Sequence, residues 1–172
     1  MTITYRDATP ADRLAIDALF RESFAATFGH LYSAENLAAF FAQFTPAAWA
    51  QELATLDFRL AHDGEALVGF AKLGPAALPG APAAAAELRQ LYLADAAKGT
   101  GTAQALMDWA IAAARARGAA ELWLSVYIDN HRAKRFYARY GFEDVGSYAF
   151  MVGDHADEDR LMRLMLTSSP RA

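Results

Sequence analysis

Residues 87–107 read ELRQLYLADAAKGTGTAQALM, and this stretch decides the fold. Glu87 to Leu93 reads as a strand, and residues 98–103, Lys98-Gly99-Thr100-Gly101-Thr102-Ala103, form a glycine-containing turn. Ala103, Leu106, Met107, Ala110, Ile111 and Ala114 then recur at helical spacing until Gly118 stops the helix. The unit is strand, turn, helix. Two glycines let the backbone approach a ligand closely, and the start of a helix presents unpaired N–H groups at the positive end of its dipole. That combination suits an anion. The dipole alone contributes about 0.3–2 kcal/mol, so real affinity needs several N–H bonds and a cation such as Lys98. Spacing alone favours an ordinary glycine turn into a buried helix. A dinucleotide fingerprint is excluded because Gln104 stands where its third glycine belongs, and the phosphate loop needs Gly-Lys-Ser/Thr.

Working outward, Ile3 and Tyr5 alternate with polar neighbours as a short strand, and Thr9-Pro10-Ala11-Asp12 supplies a cap, a helix-starting proline and an acid. Leu14, Leu19, Phe20, Phe24 and Phe28 fit the apolar face of the helix that follows, and Ser33 and Thr45-Pro46 open two more. Phe58 to Leu60 and Leu67 to Ala71 flank His62-Asp63-Gly64, which predicts an antiparallel hairpin. Residues 74–86 read as a surface loop. Downstream come a strand at Leu122 to Tyr127, a helix from Arg132 to Tyr140 ended by Gly141, and strands at about 142–152 and 160–166. There is no internal repeat.

A chain of 172 residues, 55% hydrophobic and 21% charged, predicts one domain with a buried core. The net charge of −4 argues against a nucleic-acid or anionic-membrane partner and leaves room for a cationic or small neutral one. No apolar run is long enough to span a membrane and the start lacks a leader pattern, so a cytoplasmic protein is expected. Zero cysteines exclude a disulfide framework, a thiolate metal site and a thioester intermediate on the protein. His30, His62, His131 and His155 show no metal-ligand spacing, sit in predicted loops or turns, and read as surface residues. No metal is assigned.

A second constellation, Asn130-His131-Arg132-Ala133-Lys134-Arg135-Phe136-Tyr137-Ala138-Arg139-Tyr140-Gly141-Phe142, follows the glycine turn. Together the two resemble the GCN5-related N-acetyltransferase superfamily, with its Arg/Gln-x-x-Gly-x-Gly/Ala turn and later Asn-x-x-Ala-x-x-x-Tyr-x-x-x-Gly-Phe. Further pieces are similar to the bacterial spermidine/spermine acetyltransferase branch: Phe24-x-x-Thr27-Phe28, Trp123-Leu124-x-Val126, and Gly146-x-x-x-Phe150-x-x-Gly153-Asp154 through Asp159-x-x-Met162. The resemblance implies an α/β fold, a twisted, mainly antiparallel mixed sheet splayed at the middle with helices on both faces. It also implies acetyl-CoA as cosubstrate.

In that family the strand before the turn pairs with the pantetheine arm, here Leu91, Tyr92 and Leu93, and the turn amides of Lys98, Gly99, Thr100, Gly101, Thr102 and Ala103 take the pyrophosphate. One departure stands out. The Arg or Gln that opens the family's turn is Ala96 here, so a phosphate contact is either missing or supplied from elsewhere, Lys98 being the candidate. Asn130 reads equally as a helix cap, and the resemblance makes it a ligand of the pantetheine amides. Tyr137 shares a helix face with Asn130 and Ala133, next to Phe136. Its phenol, of ordinary pKa about 10, suits it to protonate a departing thiolate, the alternative being a core aromatic.

An amine attacks only when neutral, so the site needs a proton acceptor, and the resemblance implies Glu87, a carboxylate base that in the family usually acts through water; a solvent-facing strand acid is the other reading. Asp154, Asp157, Glu158 and Asp159 read as an acidic turn that either attracts a polycation or is merely solvated. Phe20, Phe24, Phe28, Phe40, Phe41, Phe44 and Trp49 are expected in the core and around the acceptor pocket. The expected function is acetyl transfer from acetyl-CoA to a primary amine of a small molecule, a polyamine being one candidate. An acyl-CoA-binding sensor and a protein lysine or N-terminal acetyltransferase are the alternatives. Leu161, Met162, Leu164, Met165 and Leu166 are expected to extend a sheet or pack across a homodimer.

Overall fold

Capping side chains and glycines set most element boundaries in the computed structural model, which describes residues 1–166. Strand β1 (Ile3–Asp7) leads through one 3-10 turn (Pro10–Asp12) into α1 (Arg13–Phe28), followed by α2 (Ala34–Phe41) and α3 (Pro46–Thr55). Then come β2 (Asp57–Asp63), β3 (Ala66–Pro75) and β4 (Ala86–Leu93), α4 (Thr102–Ala116), β5 (Glu121–Tyr127), α5 (His131–Arg139), β6 (Glu143–Val152) and β7 (His155–Met165). The hydroxyls of Ser33 and Thr45 each accept the N–H three residues on, at 3.1 Å, which starts α2 and α3 where expected. Asp12 accepts from the Thr9 N–H at 2.7 Å and from the Arg6 guanidinium at 2.6 and 2.8 Å. The carboxylate ties β1 to the start of α1, and the guanidinium holds its pKa well below the usual range.

The buried face of α1 is Ile16, Leu19, Phe20 and Phe24. Leu14 was expected on it and is instead 69% exposed. It lies two residues, about 200°, around the helix from Ile16, and Ile16 is the residue in register with Leu19 and Phe20. Phe28 is only partly buried.

The seven strands form one sheet in the order β1-β2-β3-β4-β5-β7-β6. Every pairing is antiparallel except β4 with β5, which is parallel and consists only of Ala86 opposite Leu122 and Glu87 opposite Trp123. Beyond Glu87 the two strands part. Alternate residues point to opposite faces. Leu60 and Phe70 join the aromatic cluster under α1–α3, whereas Ala61 and Ala71 join the cluster under α4 and α5. The result is a mixed, mainly antiparallel sheet, splayed at the middle with helices on both faces.

The last hairpin differs from expectation. Pairing continues to Val152 opposite His155, so β7 begins five residues earlier than predicted, and Asp157, Glu158 and Asp159 lie in a strand instead of a turn. Gly153, at φ +58°, makes a connection of only Gly153 and Asp154 possible. Three histidines also sit in regular structure instead of loops: His62 in β2, His131 at the start of α5 and His155 at the start of β7. Of the apolar residues near the C-terminal end, Leu161, Met162 and Leu166 are buried and Leu164 packs on the α4 cluster, so most serve this chain's own core. Met165 is 51% exposed.

The β6–β7 turn docks on α2. Asn36 Oδ1 accepts from the Asp154 N–H at 3.0 Å, and a Cβ built on Gly153 would lie 2.8 Å from the Asn36 Cα. Gly153→Val should therefore destabilise the fold by about 1–3 kcal/mol, through both backbone strain and the clash. Urea unfolding checks this; an unchanged midpoint would mean that the turn moves away from α2 at no cost.

Candidate active site

The parting of β4 and β5 opens a cleft of about 870 Å³. Leu88 to Leu93 of β4 line one side, and Leu124 to Tyr127 of β5 the other. Strand edges that have lost their partner offer free backbone N–H and C=O groups, which an extended amide-bearing chain can take up.

The start of α4 lines the same cleft. Gly99 and Gly101 adopt φ +76° and +84°, a left-handed conformation that a side chain would strain. The first helical bond runs from the Ala105 N–H to the Gly101 carbonyl at 3.0 Å, so the amides of Thr102, Ala103 and Gln104 have no partner within the helix. Thr100 braces the turn: its hydroxyl donates to the Ala97 carbonyl at 2.5 Å and bonds the Thr102 hydroxyl at 2.7 Å. Thr102 itself is fully buried, and neither it nor Thr100 lines the cleft, so both expected ligands support the loop from behind. Lys98 lines the cleft but pairs with Asp95 at 2.5 Å. Arg132, Arg139 and Gln104, which sequence reasoning did not assign, also line it. Two of them bring the positive charge that Ala96 lacks. Helix α5 is latched alongside, with the Tyr140 hydroxyl 3.0 Å from Asp108 Oδ1 and 3.3 Å from the Gln104 carbonyl.

Leu91, Tyr92, Leu93, Lys98, Gly99, Gly101, Ala103, Asn130, Ala133, Phe136 and Tyr137 all face this one cleft. Asn130 Oδ1 accepts from the Ala133 N–H at 3.3 Å, capping α5, while its NH2 group remains a donor beside the cleft. Glu87 is not among the lining residues. It sits where β4 and β5 still pair, below the fork, with its carboxylate 3.4 Å from the Ala77 N–H and 3.7 Å from the Arg89 guanidinium. At 7% exposed it is also no solvent-facing acid. Burial pushes its pKa up, against the pull of Arg89, the Ala77 N–H and Lys72.

Burial pushes the Tyr137 phenol up to about 12. Tyr92 is raised as well, first by burial and then by Tyr137 and Asp159, so it lies within electrostatic reach of both. Asp159 and Asp157 alternate with exposed Glu158 and point together into the cleft. Tyr32 donates its hydroxyl hydrogen to Asp157 Oδ2, and His155 Nε2 lies 3.0 Å from Oδ1. Asp159 is 6% exposed and pairs with no cation among the described residues. Burial, then the neighbouring Asp157, push its carboxyl up to about 7, with the Ser125 side chain opposing. Phe24, Phe28, Phe40, Tyr148 and Phe150 line the same cleft, giving the carboxylates aromatic surroundings. The acidic pair was missed as a feature of the site because acids alternate here with other charged residues, which leaves no apolar contrast to reveal a strand. Among the described residues no group of three or more His, Asp or Glu could hold a metal ion, and no helix is long and apolar enough to cross a membrane.

The PaiA N-acetyltransferase of Thermoplasma acidophilum in complex with coenzyme A superposes at TM-score 0.77 and 22% identity, over 96% of this chain and 99% of that one. YncA of Salmonella typhimurium with acetyl-CoA superposes at TM-score 0.70 and 18% identity, over 99% and 98%. Both likenesses are of fold. An uncharacterised N-acetyltransferase from the pepI 3′ region of Lactobacillus delbrueckii subsp. lactis is 30% identical over 155 residues, 87% of this chain and 89% of the relative. An uncharacterised N-acetyltransferase of Mycobacterium tuberculosis is 45% identical over 76 residues, 44% of this chain, and the match spans about half of that relative's length, 49%. The family model for acetyltransferases of the GNAT family matches residues 15–142, and the chain belongs to that family.

Asp159 predicts a pH-dependent stability. A carboxyl whose pKa is raised by folding contributes stability that is present below its ordinary value near 4 and lost as pH rises through about 7. Relative to Asp159→Asn, the wild-type melting temperature should fall between pH 4 and 8. Parallel curves would mean that this carboxyl is hydrated in the folded protein.

Proposed function

We propose that this protein transfers an acetyl group from acetyl-CoA to a primary amine of a small molecule, by direct attack within a ternary complex. The observation that carries the reading is the fork between β4 and β5, which joins the open amides of α4 to Tyr137 through one continuous cleft. In this reading the pyrophosphate sits on the turn of Lys98 to Ala103, with Arg132 and Arg139 supplying charge. The pantetheine arm runs along Leu91, Tyr92 and Leu93 and is met by the Asn130 amide, with Ala133 and Phe136 beside it. Membership of the acetyltransferase family and the coenzyme A complexes of the structural neighbours support this placement.

Tyr137 is the general acid of the proposed reaction. A phenol whose pKa is about 12 remains protonated at neutral pH and is held ready for the departing sulfur. With no cysteine in the chain, no acyl-thiol intermediate forms on the protein, which favours direct attack. A polyamine is the acceptor that the acidic, aromatic part of the cleft fits best, because a cation gains from carboxylates and from aromatic faces alike. Ala96 and the position of Glu87 favour a second reading, an acyl-CoA-binding sensor that turns nothing over.

Purified protein given acetyl-CoA should release free CoA thiol when spermidine or another diamine is added, and Tyr137→Phe should slow this at least about tenfold. Tight acetyl-CoA binding with no thiol release across an amine panel would make the chain a sensor. Gly101→Leu should weaken acetyl-CoA binding about tenfold or more while leaving unfolding cooperative, since it strains the turn that presents the amides. Unchanged affinity, measured by calorimetry, would move the pyrophosphate elsewhere.

A further inference from the structure

Glu87 lies below the fork, is engaged by Arg89 and Ala77 and does not line the cleft, so it does not meet an incoming amine directly. An amine bound as the ammonium ion has no lone pair to attack with. A base must face the cleft.

We propose that Asp159 is the catalytic residue that takes the proton from the incoming amine, and that Asp157, held by Tyr32 and His155, is the positioning residue that keeps it basic. The proposal rests on the acetyl-transfer reading above. Asp159 is buried, faces the cleft and has no cationic partner among the described residues. A carboxylate in that state keeps its affinity for a proton or for a cation, whereas at Glu87 the Arg89 guanidinium already competes for the charge. Asp157, two residues away on the same face of β7, already has its oxygens engaged by the Tyr32 hydroxyl and the His155 ring. The two acids therefore divide the work. One is anchored and supplies negative potential, and the other is free to exchange a proton.

The surroundings of Asp159 agree on every side. Tyr127 of β5 and Tyr148 of β6 are its register partners, and Ser125 reaches it from β5. Tyr92 of β4 lies within electrostatic reach of both Asp159 and Tyr137, and Tyr32 is within reach of Asp157 and Asp159. These groups are phenols and a hydroxyl, none of which neutralises a carboxylate at pH 7. Of the cations that line the cleft, Lys98, Arg132 and Arg139 belong to the turn before α4 and to α5, Arg89 of β4 lies 3.7 Å from Glu87, and Lys72 of β3 is neutralised by Glu52 at 2.6 Å.

The step balances as follows. Asp159 removes one proton from the ammonium, and the neutral nitrogen forms its bond to the thioester carbonyl carbon. The C–S bond breaks with its electron pair on sulfur, which takes the Tyr137 proton to give CoA thiol. The second proton of the new amide nitrogen returns to the tyrosinate, and Asp159 releases its proton to solvent, which restores both groups.

The test uses the full chain, acetyl-CoA at saturation and spermidine as the acceptor, with kcat/KM for spermidine measured from pH 5.5 to 10. Wild type should show an ascending limb near pH 7, set by Asp159 as its carboxyl pushed up to about 7 ionises. Asp159→Asn should lose that limb and about 100-fold in rate at pH 7, then recover at high pH, where free amine is abundant; its acetyl-CoA affinity should stay within about twofold. Asp157→Asn removes the charge that keeps Asp159 basic, so its limb should move to lower pH. A wild-type rate and profile in Asp159→Asn would overturn the proposal, and so would an unmoved limb in Asp157→Asn. Both results leave acetyl transfer by the wild type standing. No thiol release by the wild type with any amine overturns the acetyl-transfer reading itself.

Discussion

The parallel contact between β4 and β5 is two residue pairs long, and the rest of the site depends on its ending there. A longer pairing would occupy the edges of both strands and close the cleft. A shorter one would leave the two halves of the sheet without the junction that aligns them. Above the contact, each strand keeps unmade backbone hydrogen bonds, which are costly to bury and therefore make a strong demand for a partner. Below it, Glu87 is held in place by the same pairing that withholds it from the cleft.

Electrostatics divide the cleft into two regions. Open amides, Arg132 and Arg139 make the region around α4 and α5 positive, as an anionic diphosphate requires. Asp157 and Asp159 make the region around β7 negative, beside the aromatic rings of Phe24, Phe28, Phe40 and Phe150. Tyr92 lies within reach of both Tyr137 and Asp159, and neither phenol carries charge at neutral pH, so neither cancels the difference. A cofactor with a phosphate-rich end and an acceptor carrying positive charge are thereby guided to separate places in one cavity.

Most helices were legible because their signals are local. Ser33, Thr45 and Gly118 act on neighbours within one turn, and the structure shows each at the boundary that it marks. The glycine turn and α4 were legible for the same reason, as was Asn130, whose capping bond to Ala133 is three residues long. Leu14 was misplaced because two apolar phases overlap at the start of α1, and packing against the sheet selects the one through Ile16. The beginning of β7 was hidden because its inward and outward residues are both charged, so its pairing with β5 and β6 had no hydrophobic alternation to announce it.

What the residues determined by themselves was the order of elements, the glycine turn before α4 and the Asn130–Tyr137 helix face, since each rests on contacts between near neighbours in the chain. What only the tertiary structure decided was which acid faces the cleft. Glu87 and Asp159 are both buried strand carboxylates, and nothing in either one's neighbourhood in the chain tells them apart. Their difference comes from a fork that opens after Glu87 and from a hairpin that carries Asp159 across the sheet to the open side. Both are contacts between residues far apart in the chain, which no local pattern encodes.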